Sequence, residues 1–478
     1  MTALSFDGWT IAPSIGLVLP EDGMPGWADA AFWCAQLEAW GFPADRLTPD
    51  AAADDTHTTL IVPAPAVDDA LAASLPRDRT GLLLTGAPTP AAAAIGDAVR
   101  FDTSAGSLDW RNTEQAADAA FAALERAAAR HGLVGLWRWP RGKAAALVVD
   151  GDVDHPTGVD PECSRYVAPA IETARLARFE AYGIFAAAAN VDSEPGSFPP
   201  AGGYYNHSYT HPYSHWNPEP WEALDESQME DELGRSNDTF LKRLGRDDEG
   251  IFRLPHFQLE ASDRTYTVLD RLGYRAESSI GGNVSITSGL PFHPALAAWG
   301  GRGADAAYAR THPDPAKRHA FLQLPISTDP TDPAFPHGCC SYNTLAEDVR
   351  NRTADPADYE AVLEEVLLHA IERRNVAHLF IDPPDAGYGR LPGDHPDYAS
   401  AVEGWMRRAV ERDDLAILTT SGLATWWLER EAAIRRLSCR VEGGRLVAAL
   451  EDPPAGATIA LLSPGGGWTH TSLAKEDA

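Results

Sequence analysis

The sequence predicts an α/β protein of more than one domain, and three observations carry that reading. The chain is 478 residues long, more than one ordinary domain holds. Continuous apolar runs of strand length alternate with segments of helical periodicity, the pattern of parallel sheets covered on both faces. Long loops rich in Pro and Gly separate these elements in the middle of the chain.

In order, "SIGLVL" reads as a first strand, and "ADAAFWCAQLEAWG" as a helix that stops at Gly41. "TTLIVPA" and "TGLLLTG" are further strands, with an Ala-rich helix between them and another helix at "TEQAADAAFAALERAAARHG". Residues 1–134 are therefore expected to form an accessory α/β domain, flavodoxin-like or similar to the glutamine amidotransferase fold. Cys34 falls inside a helix rather than at a strand-to-helix elbow, and neither GxGxxG nor a phosphate loop is present. That points to a domain without chemistry of its own.

A new strand, "AAALVV", follows "WRWPRGK", and strands and helices alternate again across the expected second domain, 135–432. Its late elements are the helix "ADYEAVLEEVLLHAIERR", the strand "VAHLFID", the helix "DYASAVEGWMRRAVER", the strand "LAILTT" and the helix "ATWWLEREAAIRRL". Residues 433–478 are expected to form a small β appendage, with turns at Gly443-Gly444 and Pro453-Pro454.

The formal charge of −30 excludes the basic face that nucleic acid or an anionic membrane would need. Lysine occurs only at 143, 242, 317 and 475; a salty cytosol and an Arg-favouring genome both explain that bias. Five scattered cysteines (34, 163, 339, 340, 439) without a CxxC pair support neither a zinc knuckle nor a disulfide framework. No apolar run approaches the roughly 20 residues of a membrane span, and no secretory leader is visible, so a cytoplasmic protein is expected.

Three segments carry candidate chemistry. In "ALVVDGDVDH" a strand runs into Asp150, Asp152 and Asp154, which alternation turns to one side. Clustered carboxylates repel, and a cation between them relieves that repulsion. An EF-hand is excluded, because the loop lacks the glycine at position six and the distal Glu. An acidic solvated turn is the plainer alternative.

The second segment, "NHSYTHPYSH", holds histidines at 207, 211 and 215. With 15 His in the chain, chance gives about half a pair at a spacing of four, and this stretch alone has two. If the chain is helical there, His207 and His211 stack one above the other and share one zinc. Adding one carboxylate makes a His₂Asp set with an open position, a catalytic arrangement. The third segment, "RLPHF", begins at Arg253.

Together the three segments resemble the NodB-type polysaccharide deacetylases of carbohydrate esterase family 4, over roughly residues 140–430. That family carries a strand-end Asp pair, then N-H-[ST]-x-x-H, then R-x-P-x-[GF]. The resemblance implies a distorted, incomplete (β/α) barrel. It implies His207, His211 and one strand-end Asp as ligands of a divalent ion, with zinc the first choice. The preceding Asp would be the general base, oriented by Arg253. Asp152 as base with Asp154 as ligand is preferred over Asp150 with Asp152. Two positions depart from the family: Asp382 stands where its acid histidine is expected, and Glu277 stands in its fourth motif. Asp382 is the expected acid, with His378 and His256 as alternatives.

The implied activity is metal-assisted removal of an acyl group, acetyl above all, from an N-acylated sugar or related amide. Tyr209, His215 and Pro255 are the expected substrate contacts, and Tyr204, Tyr205, Tyr213 and Trp216 either line the pocket or wedge the loop. Two rivals stay open: a small-molecule amidohydrolase of the allantoinase-like branch, and a carbohydrate-binding or scaffold protein that keeps the metal without the acid. The first domain could furnish a pocket wall, a partner site or a homo-oligomer surface.

Overall fold

The computed structural model describes residues 2–54, 56–76, 81–101, 113–154, 163–212, 219–255, 263–279, 293–298, 317–327, 356–383 and 398–473. Two compact units divide the chain: Met1–Gly142, Tyr308–Arg318 and Trp426–Ala478 make one, and Lys143–Ala307 with His319–Thr425 make the other.

In the first unit, Thr59–Pro63 is buried along its whole length, and Gly81–Thr85 nearly so. Strands covered on both faces read in this way as unbroken apolar runs. They lie in a five-stranded parallel sheet ordered Asp45–Leu47, Ile15–Val18, Thr59–Pro63, Gly81–Thr85, Val99–Phe101. Counted along the chain this is the 2-1-3-4-5 order of flavodoxin-like sheets.

The helix Trp27–Trp40 is buried without interruption from Ala30 to Leu37, so it belongs to the interior rather than to an amphipathic surface. It ends at Gly41, whose φ of 87° closes the last turn through N–H bonds to the carbonyls of Leu37 and Glu38. A Cβ at Gly41 would lie 1.9 Å from the Leu136 carbonyl oxygen, so no other residue fits. Arg430 caps the same helix end, donating to the carbonyls of Glu38 and Ala39 at 3.1 and 2.9 Å. Cys34 lies inside this helix, and burial pushes its thiol up to about 11, the opposite of an activated nucleophile.

The C-terminal strands do not form a separate appendage. Arg445–Leu450 pairs antiparallel with both Ser438–Glu442 and the N-terminal strand Thr2–Asp7. Thr458–Leu462 pairs with both Trp468–Ser472 and Leu133–Leu136. The expected hairpin at Gly443-Gly444 is present, with φ of 58° and 80°, as a tight two-residue turn requires. A lone hairpin is marginal in water, and the added strands cover its open edges.

Among the described residues the second unit is built on a nine-stranded sheet in which spatial order follows chain order from Ala145–Val153 through Tyr182–Ala186, Gly203–Asn206, Ile251–Phe252 and Ala276–Glu277 to Arg318–Gln323, with Ala295–Ala298 at that end. Val376–Phe380 and Leu415–Ile417 return to pair with Ala145–Val153, again in parallel. Sequential winding that returns to its first strand fits an incomplete (β/α) barrel. Ala145–Val153, with which three strands pair, has all nine residues buried. The carboxyl ends of these parallel strands deliver Asp152, His207, Arg253, Ser278, Asp382 and Thr420 to one end of the sheet, where α/β folds place their sites.

Candidate active site

Alternation along Ala145–Val153 sends Asp150, Asp152 and Asp154 to the same side, and each meets different partners. Asp150, innermost and fully buried, accepts from Arg253 Nη2 at 2.9 Å and from the Thr420 hydroxyl at 2.8 Å, and lies 2.7 Å from His378 Nε2. Burial raises its pKa, but Arg253 and His378 outweigh that and bring it down to about 2. Asp152 accepts from Arg253 Nη1 at 2.8 Å, and its other oxygen lies 3.5 Å from His207 Nε2. Here burial wins, and the pKa is raised despite Arg253 and His207. Asp154 lies beyond the strand end. Its Oδ1 is 3.2 Å from His207 Nε2 and 3.3 Å from His211 Nε2.

Arg253 is wholly buried and spends its donors on the site: two on the aspartates, one on the Ser278 carbonyl at 2.7 Å, with a further bond to the Ser278 hydroxyl at 2.9 Å. Its guanidinium carbon stands 3.9 Å from the Phe185 ring centroid and 4.9 Å from that of Phe380. A lysine could not replace this planar fork.

His207 and His211 meet, but not on a helix. Residues 207–211 form an irregular turn in which Ser208 and His211 adopt positive φ, 66° and 54°. Two left-handed residues fold the chain back sharply enough to bring the rings to 4.8 Å between centroids. The helical stacking expected from the four-residue spacing is thus replaced by a tight turn at the end of Gly203–Asn206. His207 Nδ1 lies 2.9 Å from the Arg253 carbonyl, which holds a ring proton on Nδ1 and leaves Nε2, facing Asp154, as the nitrogen that would ligate. The ligand atoms of Asp154, His207 and His211 all lie within 4.8 Å of one another.

Two imidazoles and one carboxylate, with one imidazole held in the ligating tautomer, are a donor set that suits zinc. Burial raises the Asp154 carboxyl, but the two histidines, as proton donors to it, bring it well below the usual range; a bound cation would take the place of those protons.

Asp382 accepts from the Asp152 backbone N–H at 2.5 Å, which sets its carboxyl beside the Asp152–Asp154 strand end. His378, the alternative acid, is buried against Asp150 on the inner side. Glu277 is also fully buried, accepting from Gln323 Nε2 at 3.0 Å and from the Ser279 N–H at 2.8 Å. Pro255 is buried just beyond Arg253.

Of the candidate aromatic residues, Tyr204, Tyr205 and Tyr209 fall within the described chain. Tyr204 and Tyr205 are buried, with hydroxyls engaged by the Pro199 carbonyl and by Ser421. Tyr209 packs against the core, with the Arg235 guanidinium 3.9 Å from its ring centroid. His215, Tyr213, Trp216 and His256 lie outside the described residues.

Sequence reasoning passed over Thr420, Ser278 and Glu232. The first two carry no motif signal. Glu232 is one of many acidic residues in its helix, and only its burial sets it apart.

No family model matches the sequence, and no curated protein matches it. By structure, 13 solved chains match. A protein from Mycobacterium smegmatis described as a polysaccharide deacetylase is 15% identical at a TM-score of 0.40, over 61% of this chain and 92% of that one. The carbohydrate deacetylase Agd3 is 10% identical at a TM-score of 0.45, over 97% and 99%. A 4-alpha-glucanotransferase from Thermococcus litoralis is 12% identical at 0.37, over 59% of this chain and only 40% of that one. Likeness at such identities concerns the fold, and the chemistry has to come from the site.

Proposed function

We propose that this chain is a metal-dependent hydrolase that removes an acyl group, acetyl in the first instance, from the nitrogen of an amino sugar or a related amide. The observation that carries the proposal is the convergence of Asp154, His207 and His211 beside an Asp152 clamped by Arg253. The sugar is the substrate class implied by the three motifs.

In this reading Asp154, His207 and His211 hold the cation, with zinc as first choice. A bound divalent ion polarises a carbonyl and lowers the pKa of a water beside it. Asp152 takes the proton of the attacking water. Its raised affinity for protons suits a base, and Arg253 fixes its direction without reaching the substrate. Asp150 is not a ligand. It balances Arg253 from the inner side and keeps the guanidinium square to Asp152. Asp382 returns a proton to the leaving amine, the role of the histidine in the family that the motifs resemble.

The test has two parts. Zinc content of the purified protein is measured by atomic emission, and acetate release from N-acetylglucosamine oligomers is followed for wild type, Asp152→Asn and His207→Ala. Bound metal and acetate release in wild type, with release lost in both variants, supports the proposal. A wild type that binds no divalent metal overturns it. Metal without release from any N-acetylated substrate leaves the binding-protein reading in its place.

A further inference from the structure

Every backbone N–H of the turn 208–211 has a defined acceptor. Ser208 donates to Asn206 Oδ1 at 2.8 Å, and His211 donates to Ser208 Oγ at 3.1 Å. The two between them, Tyr209 and Thr210, both donate to one oxygen of Glu232, at 2.9 and 2.7 Å. The other Glu232 oxygen accepts from the Thr210 hydroxyl at 2.7 Å. On the opposite side, the carbonyls of Ser208 and Tyr209 accept from Ala188 and Ala189 at 3.0 Å each. Glu232 belongs to the helix Glu226–Leu244 and is 6% exposed. One turn further along that helix, Arg235 covers the Tyr209 ring.

Left-handed backbone at non-glycine residues is strained and persists only where the surroundings over-determine it. Ser208 and His211 are two such residues, and the turn between them is what aims both Nε2 atoms at Asp154. A carboxylate is suited to this hold: its two oxygens accept three bonds from adjacent donors, and a buried charge strengthens each of them.

We propose that Glu232 is the positioning residue of the metal centre: it clamps the Tyr209–Thr210 peptide and so sets the separation and aim of His207 and His211. This inference rests on the proposed function above, since it takes the two histidines and Asp154 as ligands. Glu232 touches neither substrate nor metal in this reading and acts through the turn.

The test measures zinc affinity by competition with a chromophoric chelator for wild type, Glu232→Gln and Glu232→Ala, with urea unfolding of the same proteins stripped of metal. Loss of a group that orients a ligand typically weakens metal binding about 10- to 100-fold. Glu232→Ala is expected in that range. Glu232→Gln is expected between it and wild type, because its amide oxygen still accepts from both N–H groups while its NH₂ meets the Thr210 hydroxyl. A merely structural glutamate would lower stability without moving affinity. Glu232→Ala that binds zinc within threefold of wild type therefore overturns the inference, whatever its stability. Wild type that binds no zinc overturns the proposed function and this inference together, so the two failures are distinct.

Discussion

Arg253 holds Asp152 through a single hydrogen bond of 2.8 Å from Nη1 while its Nη2 holds Asp150 at 2.9 Å, so one buried guanidinium bridges two aspartates two residues apart on the same strand. The neighbouring Asp154 turns to the histidines. The three carboxylates of one strand end are thereby divided between an arginine and a pair of histidines.

That division makes Arg253 a stability residue as well as a candidate positioning one. Removing one partner of a buried ion pair leaves uncompensated charge and costs about 3–5 kcal/mol. Arg253→Met is expected to lose stability on that scale, read as a lower urea midpoint at pH 7. Simultaneous Asp150→Asn should restore part of the loss, because one orphaned carboxylate is gone. A double variant no more stable than the single one would show that the pair does not act as a unit.

Asp152→Asn keeps an acceptor for Arg253 and removes the base. Acetate release is expected to fall about 100- to 10,000-fold, the range for loss of a general base. Zinc content should stay near that of wild type. A variant that retains a tenth or more of the rate would move the base elsewhere.

Metal removal should act through Asp154, His207 and His211 alone. Dialysis against a chelator is expected to abolish acetate release and lower the melting temperature, with both restored by added zinc. A ligand present at about 100 times its Kd stabilises by about 2.7 kcal/mol. Asp154→Ala and His207→Ala should show no thermal response to zinc. Loss of the response in Asp154→Ala separates the two aspartate assignments, because with Asp150 as base and Asp152 as ligand that variant would keep it.

The first unit carries its own pH dependence. Burial, reinforced by the nearby Glu38 charge, raises the Glu431 pKa from 4.5 to about 7. A carboxyl that holds its proton more tightly when folded contributes stability fully present below pH 4.5 and lost as pH rises through 7. Glu431→Gln, which still accepts from the Trp427 indole N–H, is expected to be more stable than wild type at pH 8 and nearly equal at pH 4.5. Urea unfolding at both pH values reads the difference. A variant equally destabilised at both would mean that the charge is not the cause.

Much of the scaffold was legible because local signals and tertiary needs agree. Thr59–Pro63 and the first five residues of Ala145–Val153 are apolar runs, and strands buried on both faces need no alternation to announce them. Gly41 marked the end of its helix because the left-handed terminus there tolerates little else. The C-terminal segment misled for the opposite reason. Its hairpin pattern is local, while its pairing with Thr2–Asp7 joins residues more than four hundred positions apart, and no periodicity records such a partner.

The sequence by itself determined the chemical inventory: three aspartates on one face of a strand end, two histidines four apart and an arginine before Leu-Pro. Residue type and the two-residue period of a strand suffice for that. Only the tertiary structure decided the distribution. It set Asp154, rather than Asp150, within 3.3 Å of both histidines, because Asp154 lies past the strand end where the 207–211 turn arrives, while Asp150 faces Arg253 and His378 in the interior. It also bent that turn through two left-handed residues, with Glu232 accepting from the Tyr209 and Thr210 N–H groups between them, a contact between a loop and a distant helix face that spacing along the chain does not encode.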